Sequence, residues 1–424
     1  MEALLFIIFF GLMMFGVPIA ASIGIAIISY ALMSGDMTIG YIARSVVTAL
    51  DSFPILAVPM FILSGEIMGR GGISRRLVNF ANSIVGRFTG GLAMTVVLAC
   101  ILFGAISGSG PATFAAVGAI MIPLMEKQGY DKKFVTGLCA ASGGLGVLIP
   151  PSLPMVMYGI ISNESIGDMF LAGVVPGLIS GLALMVYCYI YCKKHPPVCP
   201  DDQKEEMPGF VQATKEGILA ILCPVIILGG IYSGWFTPTE AAAVSIVYAV
   251  FVSCVVFKTI RLKELPSMLL SAARVNAPVL FIVSMATVFG RVLSMYKIPT
   301  MVATAVLGVS DNPIIILLVI NLLLLLAGML METLAAITIL TPILLPICTA
   351  IGMSPIHFGV MMVANLAIGF VTPPIGVSLY TAATLTKQPI TDVIQSVKWP
   401  IVCLLAALVI IVAVPGVSLW LPSL

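Results

Sequence analysis

The chain has 424 residues and a formal net charge of +2; 60% of its residues are hydrophobic, only 9% are charged, and the mean hydropathy is +1.17. A soluble protein of this length carries roughly a quarter of its residues as charged surface, so the deficit excludes a water-soluble enzyme or a nucleic-acid binder and leaves an all-α polytopic membrane protein. Nine cysteines are scattered in apolar sequence beside only two histidines, and the one cluster, Cys188, Cys192, His195 and Cys199, fits no zinc spacing.

Apolar runs near the roughly 20 residues that a helix needs to cross a bilayer recur from Ala3 to the C-terminus. The first lacks a basic leader and a small-residue cleavage site, so it reads as a retained helix, cut short by Gly16-Val17-Pro18. In chain order, spanning helices are predicted at about 3–15, 18–33, 52–69, 134–162 and 169–192, with a re-entrant hairpin at about 92–125. Residues 193–216 (KKHPPVCPDDQKEEMPGFVQATKE) are the only long polar stretch and form a cytoplasmic linker. Spans at about 217–233, 239–257, 275–295, 358–386 and 400–421 follow, with a hairpin at about 313–350.

The second series repeats the first. An offset of 223 carries Pro123 onto Pro346, Gly129 onto Gly352, Gly146 onto Gly369 and Pro150-Pro151 onto Pro373-Pro374. Nearly equal offsets carry Pro54 onto Pro278 and Pro18 onto Pro238. The matched residues are those that fix backbone shape, and such internal symmetry marks secondary transporters. The predicted organisation is a first repeat at 1–192, the linker, and a second repeat at 217–424, each with five spans and one hairpin. An odd number of crossings makes the two repeats inverted.

Charge placement points the same way. Arg70, Arg75, Arg76 and Arg87 precede the first hairpin, and Lys127, Lys132 and Lys133 follow it, whereas the flanks of the second, Ser310 to Asn312 and Gly352 to His357, hold no Lys or Arg. Basic residues concentrate on the cytoplasmic side of an inner membrane. The first hairpin then opens to the cytoplasm, the second to the periplasm, and both termini are periplasmic; Arg44 is the exception.

Four segments interrupt helices inside apolar sequence: Ala105 to Thr113 (AISGSGPAT), its mirror Gly328 to Thr333 (GMLMET), Gly143 to Ser152 (GGLGVLIPPS) and Gly369 to Pro374 (GFVTPP). Broken backbone at membrane depth is tolerated only against a cavity or within protein. The double prolines, Pro150-Pro151 and Pro373-Pro374, free carbonyls that suit a hard cation such as Na⁺. Half-helix N-termini at Pro111 and near Pro374 would aim partial positive charge at an anionic substrate.

Among the charges, Glu332 falls on Ser109 at the 223 offset, at a hairpin tip, and suits an ion or proton role. Thr237-Pro238-Thr239-Glu240 is a capping box. Glu66 and Arg70, four apart, form an interfacial pair; Arg291 either snorkels or balances a substrate carboxylate. Asn365, mirrored on Ser142, is a polar liner, as are Ser109 and Ser152. No GxxxxGK[ST] signature occurs, so the energy source is an ion gradient or another subunit. An intramembrane protease lacks its paired catalytic groups here, and a channel does not account for mirrored breaks inside hairpins. A stand-alone ion-coupled anion symporter or antiporter of the same architecture is the main rival.

The segments FGAISGSGPATFAAVGAIMIP (103–123), GLGVLIPPS (144–152), GWFTPTEAAAV (234–244) and GFVTPPIGVSLY (369–380) resemble the large membrane subunit of tripartite ATP-independent periplasmic (TRAP) transporters, in the dicarboxylate and sialic acid branch. The resemblance covers nearly the whole chain. It implies an elevator-type fold in which a mobile domain carries the hairpins past a scaffold. It also implies Na⁺-coupled import of an organic acid anion, a small membrane (Q-type) subunit and a periplasmic substrate-binding (P-type) protein. By motif position, Ser107, Gly108, Ser109 and Gly110 with the break around Gly146 and Pro150 would form one sodium site. Met331, Glu332 and Thr333 with the break around Gly369 and Thr372 would form the other. Substrate would sit between them, near Ser109, Pro111, Ser152, Arg291, Asn365 and Pro374, and residues 70–87 would belong to an arm joining scaffold and mobile domain.

Overall fold

Proline, glycine and short polar side chains cut an apolar chain into helices, and a computed structural model gives the cuts. It describes residues 2–35, 37–197, 208–309, 312–373 and 376–424. The first half runs α1 (Glu2–Met14), α2 (Ile19–Ser34), α3 (Ile39–Leu50), α4 (Ala57–Arg70), α5 (Ile73–Val85), α6 (Gly91–Ser107), α7 (Gly110–Lys127), α8 (Lys132–Gly143), α9 (Leu153–Ser162) and α10 (Ile166–Lys194). The second runs α11 (Phe210–Tyr232), α12 (Pro238–Val250), α13 (Leu265–Met295), α14 (Ile298–Val309), α15 (Pro313–Leu330), α16 (Thr333–Ala350), α17 (Pro355–Gly369), α18 (Val377–Thr386), α19 (Ile390–Ser396), α20 (Lys398–Ala413) and α21 (Gly416–Leu419). Among the described residues there is no strand, and seven helices are long and apolar enough to cross a membrane, or eight if the bent pair α19–α20 is one span. The chain is an all-helical polytopic membrane protein.

The offset of 223 that matches the prolines also matches the helix ends. It carries Gly110–Lys127 onto Thr333–Ala350 residue for residue, Ser107 onto Leu330, and Lys132 onto Pro355. An offset of 225 carries Arg70 onto Met295 and Ile73 onto Ile298. The halves differ where α3 and α4 stand apart while α13 is one helix of 31 residues. In the first half Asp51 and Ser52 offer the backbone alternative hydrogen bonds just before Pro54. Pro278 instead sits inside α13, which continues with one backbone bond missing.

The helices pack as two groups. Helices α1 to α4 and α11 to α13 contact one another; α6 to α10 contact α15 to α21; and α5 and α14 bridge between the groups. At the centre of the second group, every residue of α8 from Phe134 to Gly143 and of α17 from His357 to Gly369 is buried, so neither helix has a lipid face. The outer helices turn apolar side chains outward, with Met14 88% and Phe15 89% exposed, a surface that suits hydrocarbon rather than water.

Where hairpins are expected the chain forms the helix pairs α6–α7 and α15–α16, at 91–127 and 313–350, and the spans expected at 134–162 and 358–386 are each two helices about a break. Helix α11 begins at Phe210 and α13 at Leu265, both earlier than expected. Helices α3, α5 and α14, of 12 or 13 residues, are too short for a bilayer-length hydropathy window to register. Helix α5 is amphipathic, burying Ile73, Leu77, Val78, Ala81 and Val85 while the Arg76 guanidinium lies 3.6 Å over the Phe257 ring. The Thr237–Glu240 capping box forms as expected: the Thr237 amide donates to Glu240 Oε2 at 2.8 Å and the Glu240 amide to Thr237 Oγ1 at 3.3 Å. His195 stacks on Tyr191, while Cys199 and residues 198–207 lie outside the described residues.

Candidate functional site

Helix α6 ends where Gly108 turns to φ +60°, a left-handed conformation that a side chain would strain, with its amide donating to the Gly104 carbonyl at 2.8 Å. The Gly108 carbonyl accepts from the Leu153 amide at 3.2 Å, tying the tip to the start of α9. Ser107 Oγ and Thr113 Oγ1 are 2.8 Å apart, and Ser107 Oγ also reaches the Ser109 carbonyl at 3.4 Å. The α6 backbone approaches the neighbouring break so closely that a methyl group on Gly104 would lie 2.5 Å from Gly146 Cα. One on Gly146 would lie 3.0 Å from the Ser109 carbonyl oxygen.

The second tip repeats this contact with different capping. A methyl group on Gly369 would lie 2.5 Å from Gly328 Cα. Glu332 caps α16, its Oε2 accepting from the amides of Leu334 at 3.0 Å and Ala335 at 3.3 Å. Its counterpart Ser109 caps α7 with no side-chain bond. One half-helix therefore holds its own carboxylate, while the first-turn amides of the other have no side-chain cap. At the second break Thr372 Oγ1 donates to the Ile368 carbonyl at 2.8 Å, and the Ser378 amide to the Phe370 carbonyl at 3.1 Å.

The two tips meet at one cavity of about 540 Å³. Ser107 to Ala112 line it from the first tip, Glu332 to Leu334 from the second, and the Phe370 ring packs on Gly110 between them. The opposite wall belongs to Gly65, Glu66, Gly69 and Arg70 of α4 with Val275 and Val279 of α13. Glu66 and Arg70 pair at 2.6 Å, and Arg70 also donates to Ser271 Oγ at 3.3 Å. Arg70 is the only basic residue on this wall, which brings a pair read from sequence as interfacial into the cavity.

Ser378 Oγ, just beyond the second break, is one of several buried polar atoms with no partner among the described residues; two others, Ser142 Oγ and Asn365 Oδ1, lie beside the breaks. These two occupy corresponding positions, since 223 carries Ser142 onto Asn365. The Asn365 amide is fixed by its Nδ2, which donates to Asn321 Oδ1 at 2.7 Å and to the Met361 carbonyl at 2.9 Å. Burying an oxygen without a protein partner costs stability unless a water or an ion meets it.

The expected site residues thus divide. Ser107, Gly108, Ser109, Gly110, Pro111, Glu332 and Thr333 line the cavity. Gly146 and Pro150 are buried behind the first tip; Met331 is buried at the second tip, beside Gly369 and Thr372 at the second break. Ser152 is buried off the cavity wall, donating to the Val147 carbonyl at 2.5 Å and accepting from the Met155 amide at 3.4 Å as the cap of α9. Asn365 is likewise off the wall, and Pro374 lies outside the described residues. Arg291 lines a separate cavity of about 640 Å³ with Tyr41, Thr287, Ser294, Thr338 and Pro342. Reading the sequence missed Glu66, Arg70, Thr113, Asn321 and Phe370 as members of the site. The 225 offset, which pairs Glu66 with Arg291, was the signal available for the first.

The profile of the tripartite ATP-independent periplasmic transporter DctM component matches residues 6–417. The chain belongs to the DctM family of TRAP transporter large permeases. Within it, the chain is 45% identical over 405 residues to the isethionate TRAP transporter permease protein DctMQ of Oleidesulfovibrio alaskensis, covering 96% of this chain but only 64% of that longer protein. It is 44% identical to the C4-dicarboxylate TRAP transporter large permease DctM of Pseudomonas aeruginosa, over 88% of this chain and 87% of that one. It is 40% identical to the sialic acid TRAP transporter large permease SiaM of Vibrio cholerae, over 98% and 96%. The fold is also that of the YdaH transporter of Alcanivorax borkumensis, with a TM-score of 0.65 at 16% identity over 89% of this chain and 88% of that one. Like its relatives, the chain is a multi-pass transport permease of the inner membrane.

Proposed function

We propose that the chain is the large subunit of a Na⁺-coupled importer of small organic acid anions, of the C4-dicarboxylate or sialic acid class, that works by an elevator movement. The anion is delivered by a periplasmic binding protein, and a small membrane subunit completes the scaffold. The similarity to a permease named DctMQ supports the small subunit. The first repeat ends with α10 and the second begins with α11 at Phe210, the two inverted about a cytoplasmic linker between them, with both termini periplasmic; the basic flanks of the first hairpin and the bare flanks of the second support this orientation.

One observation carries the reading: both mirror-related tips face a single cavity, with an unpartnered buried oxygen behind each break. Ser142 Oγ, Ser107 Oγ, Thr113 Oγ1 and the Ser109 carbonyl are the oxygens available to a cation on the first side. Asn365 Oδ1 and the Val371 carbonyl are those on the second, the Gly369 and Phe370 carbonyls already accepting from the Thr372 and Ser378 amides. Na⁺ in these places supplies positive charge beside the tips. The substrate carboxylate then meets the uncapped α7 N-terminus, with Arg70 across the cavity.

The test is uptake of labelled organic acid into proteoliposomes holding the chain with its small subunit and loaded binding protein. The expected result is uptake under an inward Na⁺ gradient and none with K⁺ in its place or without the binding protein. Uptake of free substrate by this chain alone would instead establish a self-sufficient symporter.

A further inference from the structure

The two halves match in sequence offset but not in where the scaffold touches the hairpins. The 225 offset carries Gly65 of α4 onto Gly290 of α13. The Cβ position of Gly65 faces the first tip, 3.3 Å from Ser107 Cα, whereas that of Gly290 faces Pro342 Cγ at 3.5 Å, well inside α16. The symmetric partner would be Leu330, at the second tip. From the tip to Pro342 is about ten helical residues, or about 15 Å of axial distance. The bridging helices differ in the same sense, α5 packing on α6 while its counterpart α14 packs on α16.

Each contact borders a cavity. Gly65 borders the tip cavity with Glu66 and Arg70; Gly290 borders the second with Arg291, Thr287 and Ser294. Residues 287, 291 and 294 are the 225-offset counterparts of Ile62, Glu66 and Gly69. Exchanging the conformations of the halves would bring the second tip up to Gly290 and replace the α4 wall of the tip cavity with this face of α13.

We infer that Arg291, with Thr287 and Ser294, walls the substrate cavity in the opposite access state and takes the substrate's anionic group there. The inference rests on the elevator reading above. Its sidedness follows from charge: the tip cavity lies at the Arg70 end of α4 and against the first half of α13, the half that follows Lys258, Arg261 and Lys263 in the chain, which is the cytoplasmic side. The arrangement described here then faces the cytoplasm, and Arg291 serves the periplasm-facing state. Arg291 is exposed and has no ion-pair partner among the described residues, whereas Arg70 already holds Glu66. An anion is therefore loaded against a free guanidinium and released beside a neutralised pair.

Two measurements test this in the reconstituted complex. In a chain whose native cysteines are replaced, Gly290→Cys with Pro342→Cys should cross-link at rest, and Gly290→Cys with Leu330→Cys only during turnover, each blocking uptake until reduced. Separately, Arg291→Gln should raise the KM for substrate-loaded binding protein by roughly tenfold or more, the scale of a lost charge-assisted hydrogen bond, with Arg291→Lys partly restoring it. If the Leu330 pair never cross-links while Na⁺-driven uptake proceeds, the elevator movement itself fails. If it cross-links and blocks uptake but Arg291→Gln leaves the KM unchanged, the elevator stands and the role of Arg291 is overturned.

Discussion

Glu332 and Ser109 show how much one side chain changes at an equivalent position. Both cap the second helix of a hairpin, but Glu332 satisfies the amides of its own helix and Ser109 leaves them open. A carboxylate at a hairpin tip reads from sequence as an ion or proton carrier; its two amide partners give it a capping role instead. Glu332→Gln, which keeps an acceptor oxygen, should then preserve uptake and its pH profile. Glu332→Leu should lower stability by about 1 kcal/mol or more in thermal unfolding of the detergent-solubilised protein. A pH profile displaced in Glu332→Gln would show a proton role. At the mirrored pair, Ser142→Ala and Asn365→Leu each remove an unpartnered oxygen, so each should weaken Na⁺ binding at its own site by tenfold or thereabouts; Asn365→Leu also gives up the Nδ2 bonds to Asn321 and Met361 and should lower stability by about 1–3 kcal/mol without unfolding the protein.

Between elements, the tips are held by glycine-to-glycine approaches rather than by side chains. A methyl group at Gly104 would lie 2.5 Å from backbone, which cannot move aside as a side-chain end can. Gly104→Ala should therefore destabilise by about 1–3 kcal/mol and depress transport, whereas Gly229→Ala, where nothing lies within 4 Å, should do neither. Removing the capping box by Thr237→Ala should cost about 1 kcal/mol in thermal unfolding. Because Thr237 is remote from the tips, the sodium affinity should not change. Hairpins and breaks were legible in the sequence because Pro, Gly and Ser interrupt apolar runs there, and proline acts through local backbone geometry alone. The short helices α3, α5 and α14 were not, since neither hydropathy nor helix breakers distinguish them from loops beside a span; in α5 the apolar spacing of Ile73, Leu77, Ala81 and Val85 was the cue.

For the whole molecule, an offset that matches prolines in sequence also matches helix ends in space, so the duplication was legible from few residues. Which cavity receives which charge was not. Glu66 and Arg70 belong to the group of α1 to α4 and α11 to α13 and reach the tips only through packing between groups, which no local pattern encodes. Arg291 shares its counterpart position yet lines a different cavity, because α4 packs against the first tip at Ser107 whereas α13 packs against α16 at Pro342. Inverted topology makes its own prediction: a cysteine introduced at Gln128 should react with a membrane-impermeant thiol reagent only from the cytoplasmic side, and one at Gly352 only from the periplasmic side. Labelling of both from one side would overturn the inversion.

The most direct test of Na⁺ coupling at the paired tips compares wild type with the Ser142→Ala/Asn365→Leu double variant, each in proteoliposomes with its partners, as uptake against external Na⁺ at fixed loaded binding protein. Wild-type uptake should rise and saturate with Na⁺, and the variant, correctly inserted and folded, should lose that dependence or require roughly tenfold more Na⁺, because independent tenfold losses at two sites that must both fill raise the half-saturating concentration about tenfold. Wild-type uptake indifferent to Na⁺, or a variant with an unchanged Na⁺ curve, would contradict it.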